Sequence, residues 1–174
     1  MKHAALLRGI NVGGKNKLPM KALAETFVKA GCTDVTTYIQ SGNVVFRASA
    51  AVMKKLPATI SAMIAAEFGH KVPVILRSHE EIAAAVAANP FVGSEPLHVA
   101  FLADEPATEA VSGLDPNRSP GDRFHVIGRN MYMHLSNGAG NSKLTNAWMD
   151  SKLSTISTAR NWATVLKLLE LTRP

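Results

Sequence analysis

The chain has 174 residues, of which 47% are hydrophobic and 18% are charged, and its formal net charge is +6. This length and apolar content suit one ordinary domain or two small ones, and they exclude a disordered chain or one that needs disulfides or metals to fold. The sequence pI near 9.7 favours encounter with anions such as phosphates, nucleic acid and acidic metabolites.

The single cysteine, Cys32, leaves the chain without an internal disulfide, so a reducing cytoplasm is the expected compartment. It follows Gly31 at a predicted helix end, where the negative helix pole disfavours a thiolate, and we interpret it as structural. The N-terminal apolar stretch is too short for a signal peptide, and no run of about 18 apolar residues occurs. We therefore expect a soluble, cytoplasmic protein without membrane partners.

The first half of the chain reads as strand, helix, strand, strand, helix and strand. The predicted elements are a strand at 3–8, a helix from Pro19 to Gly31, a hairpin of 35–40 with 44–46, a helix from Val52 to Gly69 that kinks or begins at Pro57, and a strand at 72–76. This order is the split βαβ arrangement of a ferredoxin-like unit. A doubly wound sheet would need a crossover helix where the hairpin lies, so the order argues against a Rossmann or P-loop fold.

The second half echoes this order. Its predicted elements are a helix capped by Ser78 and ending before Pro90, a strand at 97–102, a short helix to about Ser112, a hairpin of 123–127 with 131–135, a helix carrying Leu144, Trp148 and Met149, and a last helix from about Ala159 to Leu171 with Trp162, Val165, Leu166 and Leu169 inside. We therefore predict an α+β fold of two ferredoxin-like subdomains packed together, at 1–78 and 79–174. The second is a diverged copy without a residue-level repeat.

The loop at 8–17 joins the first predicted strand to the first helix and combines three glycines with three cations. Its spacing matches the P-loop pattern G-x-x-x-x-G-K, but Asn16 stands where a Walker motif needs Ser or Thr for Mg²⁺, and Pro19 delays the helix. We therefore do not interpret it as an NTP-binding site. A flexible loop carrying Lys15 and Lys17 can still bind a phosphate or carboxylate; alternatively, the glycines only turn the chain and the lysines are solvated.

A second glycine loop at 137–143 has the same design, and its alternative interpretation is an ordinary turn with Asn141 or Ser142 as helix cap. Further on, Arg160 is predicted in the first turn of the last helix, where the positive helix pole disfavours a cation. Either a carboxylate of the chain or a bound anion should compensate that charge.

The sequence offers few other groups of side chains that could bind a metal or catalyse a reaction. If Arg129 and Asn130 form a two-residue turn, His125 lies opposite His134 and the pair could bind metal or sense pH, whereas a three-residue turn destroys that register. The sequence contains no Gly-x-Ser-x-Gly elbow, His-Glu-x-x-His motif or assignable acid pair. We therefore predict no metal and no cofactor, and leave enzyme activity and catalytic residues unassigned.

Four segments stand out together in the order and spacing of the chain. They are Leu-Arg-Gly-Ile-Asn-Val-Gly-Gly at 7–14, Thr-Tyr-Ile-Gln-Ser-Gly-Asn-Val at 37–44, Asn-Pro-Phe at 89–91, and Ser-Lys-Leu-Thr-Asn at 142–146 with Arg-Asn-Trp at 160–162. Together they resemble the bacterial family known as domain of unknown function number 1697. The resemblance covers nearly the whole chain and implies two ferredoxin-like subdomains, but it supplies no activity, cofactor or catalytic residue.

The leading hypothesis is the binding of an anionic, phosphorylated small ligand by the glycine-rich basic loops. The candidate ligand-binding residues are Arg8, Asn11, Gly13, Gly14, Lys15, Lys17, Tyr38, Gln40, Ser41, Asn43, Lys143, Arg160 and Asn161. The polar hairpin residues among them either line the same site or only brace the loop. The alternatives are a nucleic-acid-binding module that uses the overall positive charge and a protein-interaction module with an apolar surface patch. The sequence assigns no oligomeric state.

Overall fold

The computed structural model describes all 174 residues. The chain divides into two compact units, one formed by Met1–Ile82 with Leu168–Pro174 and the other by Ala83–Lys167. Each unit contains one four-stranded antiparallel sheet. The predicted α+β class with two βαβ-type subdomains is confirmed.

The first unit contains the predicted order of strands and helices. Its elements are β1 (His3–Leu7), α1 (Met20–Lys29), β2 (Thr33–Tyr38), β3 (Asn43–Arg47), α2 (Ala50–Phe68) and β4 (Val74–Ser78). The strands lie in the order β2-β3-β1-β4. The helix α2 begins at Ala50, where Ser49 caps it, and continues through Pro57, so it does not begin at the proline.

Alternate residues of this sheet face the two helices. Leu7 on β1 and Phe46 on β3 are fully buried in one apolar cluster with Phe27 of α1 and Ile60 of α2. The ring centroids of Phe27 and Phe46 are 5.4 Å apart. The period of two along the strands and the helical period of α1 and α2 together therefore bring one apolar face against another.

The remaining elements repeat the arrangement. They are α3 (His79–Ala87), β5 (Leu97–Leu102), α4 (Thr108–Ser112), β6 (Arg123–Ile127), β7 (Asn130–His134), α5 (Asn146–Leu153), β8 (Ser157–Asn161) and α6 (Trp162–Leu171). The second sheet has the order β6-β7-β5-β8, which matches the first sheet strand for strand. Its core contains Ala100, Met131 and Met133 with Trp148 and Met149 of α5. The two units therefore share one sheet topology.

The predicted start of the last helix is wrong. Residues 157–161 form the strand β8, which pairs with β5 and places Arg160 opposite Val99. The helix α6 begins only at Trp162. Its buried face also differs from the predicted stripe, because Leu168 is fully buried whereas Leu166 is 42% exposed.

The predicted histidine pair does not form. The turn between β6 and β7 does have two residues, but they are 128–129, so Ile127 lies opposite Asn130. Since moving the turn by one residue moves every partner by two, His125 faces Tyr132 and His134 faces Arg123.

Candidate functional site

The basic loop at 8–17 is a small hairpin, which we call the basic hairpin. The Asn11 N–H donates to the Asn16 carbonyl oxygen at 3.1 Å, and the Lys15 N–H donates to the Val12 carbonyl oxygen at 2.9 Å. Gly13 and Gly14 form its tip, with φ of +55° and +74°. Two central residues with positive φ are typical of a type I′ turn. The positive φ favours glycine at both positions, although a Cβ atom placed on either residue would have no atom within 4 Å.

The Asn11 side chain closes the base of the basic hairpin. Its Nδ2 donates to the carbonyl oxygens of Leu18 and Gln40, both at 2.9 Å, and its Oδ1 accepts from the Leu18 N–H at 2.8 Å. The Asn16 Nδ2 adds a hydrogen bond to the Gly9 carbonyl oxygen at 2.8 Å. Both amide hydrogens of Asn11 are engaged inside the protein, so this side chain shapes the loop.

The turn between β2 and β3 lies directly against the basic hairpin. The Leu7 N–H donates to the Gly42 carbonyl oxygen at 2.8 Å, and a Cβ on Gly42 would lie 2.9 Å from both Leu7 Cβ and Ile10 Cδ1. Asn43 is fully buried, and its Nδ2 donates to the Tyr38 carbonyl oxygen and to Ser41 Oγ, each at 3.1 Å. These contacts make the turn a brace for the basic hairpin.

The lysines of the basic hairpin point away from this framework. Lys15 and Lys17 are exposed, and neither ammonium group contacts a carboxylate of the chain. The His70 Nε2 lies 3.0 Å from the Lys17 carbonyl oxygen, which places the exposed Lys71 next in sequence to that contact. The half-buried Arg8 is joined to the same segment, because its N–H donates to the Pro73 carbonyl oxygen at 3.1 Å. A concentration of positive charge therefore follows one edge of this unit.

The second glycine loop has a different internal structure. It contains a short 3₁₀ turn at Ala139–Asn141, and the cap of α5 is Thr145, whose Oγ1 accepts from the Trp148 N–H at 3.2 Å. The predicted caps, Asn141 and Ser142, are wrong because the helix starts later in the chain. Lys143 is exposed, and its N–H donates to Ser119 Oγ at 3.0 Å.

A carboxylate that the sequence did not single out holds this loop. Asp122 is 8% exposed; its Oδ2 accepts from Ser119 Oγ at 2.7 Å and its Oδ1 accepts from Ser136 Oγ at 3.5 Å. Burial by itself raises the pKa of Asp122, but hydrogen bonds from Ser119, Ser142 and Ser136 outweigh it and lower the pKa below the ordinary range. The carboxylate is therefore ionised and satisfied inside the unit.

Arg160 lies in a different element from the one predicted. It lies in a strand, is 7% exposed, and its Nη1 donates to Thr158 Oγ1 and to the Ala159 carbonyl oxygen, both at 2.8 Å. Burial lowers its pKa to about 10. Asn161 instead caps α6, since its Oδ1 accepts from the Thr164 N–H at 2.8 Å. The predicted position of Arg160 in the first turn of that helix is therefore wrong, and its charge does not face the positive helix pole in the way predicted from the sequence.

The first unit has an arginine at the equivalent position. Arg77 on β4 is 3% exposed, its Nη1 donates to the Leu76 carbonyl oxygen at 3.0 Å, and it lies opposite Ala4 on β1 as Arg160 lies opposite Val99 on β5. Each arginine is the penultimate residue of its strand. The two units therefore share a buried arginine at the same position of the sheet.

Groups that often carry chemistry are dispersed. Burial raises the pKa of the Cys32 thiol to about 11, which disfavours a thiolate nucleophile. No three His, Cys, Asp or Glu side chains come together in a way that could hold a metal ion. None of the helices combines the length and apolar character needed to cross a bilayer.

Two ferredoxin-like units, the first with a braced glycine hairpin between β1 and α1, define the class of protein. The chain belongs to the family described as "protein of unknown function (DUF1697)", whose model matches residues 1–132. This membership confirms the resemblance seen in the sequence. No curated protein matches the chain.

One similar solved structure is the conserved bacterial protein SP0830 from Streptococcus pneumoniae. It is 21% identical, and the match covers 99% of this chain and 98% of that chain with a TM-score of 0.75. At this level of identity, the similarity supports the fold alone.

Proposed function

We propose that the protein binds a phosphorylated small molecule at the basic hairpin. The ammonium groups of Lys15 and Lys17 are the principal contacts, and the N–H groups of Gly13 and Gly14 are additional donors. The observation that carries this proposal is the pair of exposed lysines without carboxylate partners, set beside two tip amides that donate to no acceptor within the chain. Free backbone N–H groups in a turn and lysine point charges are both used by proteins to hold phosphate.

The framework beneath the tip supports this function because it fixes the hairpin before any ligand arrives. Asn11 joins the hairpin to Leu18 and to Gln40 of the neighbouring turn. A loop that is already ordered loses less conformational entropy on binding than a mobile one. In the proposal, Asn11 and Asn43 therefore position the loop, and the ligand contacts Lys15 and Lys17.

The other candidates have smaller roles in the proposal. Arg8 and Lys71 raise the positive potential along the same edge and favour encounter with an anion. Tyr38, Gln40 and Ser41 lie at the base, where Gln40 is exposed and the other two are half-buried. Lys143 is a secondary candidate on its own loop, whereas Arg160 and Asn161 are left out because one is buried and the other caps a helix.

The test is calorimetric titration with inorganic phosphate, pyrophosphate, ribose 5-phosphate, AMP and ATP. The double variant Lys15→Gln/Lys17→Gln removes both charges from the hairpin. The matched control is Lys54→Gln/Lys55→Gln, which removes two exposed lysines from α2. We expect at least one phosphorylated compound to bind, with affinity reduced by about tenfold or more in the hairpin variant, because each lost charge-assisted contact is worth about 1.5–3 kcal/mol, and unchanged in the control.

Equal affinity of the wild type and the hairpin variant for every phosphate compound would refute this proposal. Binding to nucleic acid predicts a different pattern, because many Lys and Arg side chains then share the contacts. In filter binding with a single-stranded RNA at two salt concentrations, that alternative predicts a steep loss of affinity with salt and similar losses in both double variants.

A further inference from the structure

The second unit, Ala83–Lys167, contains a cleft that the basic hairpin does not involve. Its volume is about 590 Å³, and most of its walls are apolar, with Phe91, Val111, Leu114 and Phe124 among the lining residues. Small-molecule sites in proteins have volumes of about 300–1,000 Å³ and mostly apolar walls with a few polar groups. The size and the lining of this cleft both fit that description.

The aromatic walls are fixed from behind. The Asn89 Oδ1 accepts from the Phe91 N–H at 3.0 Å, which sets the backbone just after α3. The Phe124 ring meets the ring of Trp148 edge to face, with centroids 5.7 Å apart and planes at 70°. Walls that are held in place lose little freedom when a ligand enters.

The cleft is lined by one exposed cationic side chain, Arg123. The Arg123 guanidinium lies 5.1 Å from the centroid of the Phe91 ring; it is exposed, and no acceptor of the chain binds it. The carboxylate lining the cleft, Asp122, is buried, accepts hydrogen bonds from Ser119 and Ser136, and forms no ion pair with the arginine. His125, also exposed, lies on the same strand and adds a second polar group.

We infer that this cleft binds a small carboxylic acid with an apolar body, such as an aryl-substituted acetate. The carboxylate binds the Arg123 guanidinium, whose planar fork of N–H donors matches a carboxylate, and the apolar body lies against Phe91 and Phe124. One guanidinium beside largely apolar walls favours such a ligand over the phosphorylated compounds proposed for the basic hairpin. The inference does not depend on that proposal, because the two sites share no residue.

The experiment uses biphenylacetate and its primary amide, biphenylacetamide, which have the same apolar body and differ in charge. Calorimetric titration of the full chain is expected to show the acid binding about tenfold more tightly than the amide, since a charge-assisted pair is worth about 1.5–3 kcal/mol. The variant Arg123→Gln is expected to abolish this preference by weakening the acid alone. Arg173→Gln, which removes an exposed arginine from the C-terminal segment, is the matched control and should retain the preference.

Amide chemical shifts locate the binding. The inference predicts that biphenylacetate shifts the N–H signals of Phe91 and of residues 123–125 and leaves those of residues 12–15 unchanged. Phe124→Leu should weaken the acid and the amide together, since it removes an aromatic ring from the apolar wall and keeps the contact between Arg123 and the Phe91 ring. Equal affinity for acid and amide, a preference that persists in Arg123→Gln, or shifts confined to the basic hairpin would each overturn the inference.

Discussion

The glycine loops at 8–17 and 137–143 occur at different connections of two sheets that share one strand order. The first loop joins β1 to α1, and the equivalent connection of the second unit is the short segment 103–107, which contains Asp104 and Glu105. The second loop joins β7 to α5, and its counterpart in the first unit is only Ala48 and Ser49. Each unit has therefore elaborated a different connection, and similar composition does not make the two loops equivalent.

The two loops also differ in the chemistry that holds them. A neutral amide, Asn11, closes the first through three hydrogen bonds. A carboxylate, Asp122, anchors the second through Ser119, which in turn accepts from the Lys143 N–H. The Asn11 amide does not titrate whereas the Asp122 carboxylate does, so the hydrogen bonds of the two side chains should respond differently to acid.

The largest expected effect concerns the brace beneath the basic hairpin. Gly42→Ala should lower the free energy of unfolding by about 2–5 kcal/mol, because the added Cβ overpacks against Leu7 and Ile10 at a positive φ. Gly13→Ala has a positive φ but open space around the new Cβ, and should cost about 1–2 kcal/mol. Urea denaturation followed by circular dichroism measures both, and equal losses would show that the turn does not brace the loop.

The next effect tests the three hydrogen bonds of the Asn11 side chain, which close the base of the basic hairpin. Asn11→Ala should cost about 2–3 kcal/mol, since it removes three hydrogen bonds of about 1 kcal/mol each and leaves the Leu18 and Gln40 carbonyl oxygens without that donor. Asn16→Ala is the control, because Asn16 also has a positive φ but its side chain makes a single exposed hydrogen bond. In the same denaturation series, Asn11→Ala should lose much more unfolding free energy than Asn16→Ala. The reverse order would contradict the role of Asn11 in closing the hairpin.

A third effect separates the two loops by pH. Asp122→Asn should cost about 2 kcal/mol near neutral pH. Because the folded pKa is depressed, the stabilisation is present above the ordinary carboxyl pKa of about 3.9 and is lost as the pH falls through the folded pKa. The difference in unfolding free energy between wild type and Asp122→Asn should therefore shrink in acid.

The controls for this pH experiment come from both loops. The cost of Asn11→Ala should change little over the same pH range, since neither the Asn11 amide nor its backbone partners titrate. Asp104→Asn replaces an exposed carboxylate and should leave stability within about 0.5 kcal/mol of wild type. If the cost of Asp122→Asn stayed constant down to acid pH, the ionised form would not be what anchors the second loop.

The smallest effect is expected at the hairpin tip. Lys15→Gln/Lys17→Gln should change the free energy of unfolding by less than about 0.5 kcal/mol, because both side chains are exposed and make no contact with a carboxylate. Thermal or urea denaturation measures this in the same protein used for titration. A loss above about 1 kcal/mol would mean that the lysines stabilise the hairpin, and it would contradict the conclusion that the base alone holds it.

The fold could be predicted wherever local chemistry determined the element. The helix α1, for example, has Leu23 and Phe27 on one buried face and Gly31 just after its end. The strand β8 could not be predicted, because Ser-Thr-Ala-Arg-Asn has no alternating apolar pattern and becomes a strand only by pairing with β5. The strand β4 starts after its predicted position because the Val72 and Pro73 carbonyl oxygens accept from Ser61 and Arg8 outside the sheet.

The basic hairpin and the cleft of the second unit also differ in how far the sequence predicts them. The basic hairpin is visible in the sequence because its glycines and lysines are adjacent along the chain. The cleft of the second unit is assembled from three segments that are separated in the sequence and meet only in the fold; they contribute Phe91, Val111, and Arg123 with Phe124. Of these residues, only Phe91 belongs to one of the four sequence segments that carry the family resemblance.

The closed base of the basic hairpin makes its tip a natural insertion point. Because Asn11 and Asn16 fasten the two ends of the tip to one another and to Gly9 and Leu18, residues 12–15 can lengthen without disturbing these hydrogen bonds. Doubling the length of such a loop adds only about 0.6 kcal/mol to its closure. The tip is therefore suited to carry a grafted peptide or a fluorescent label.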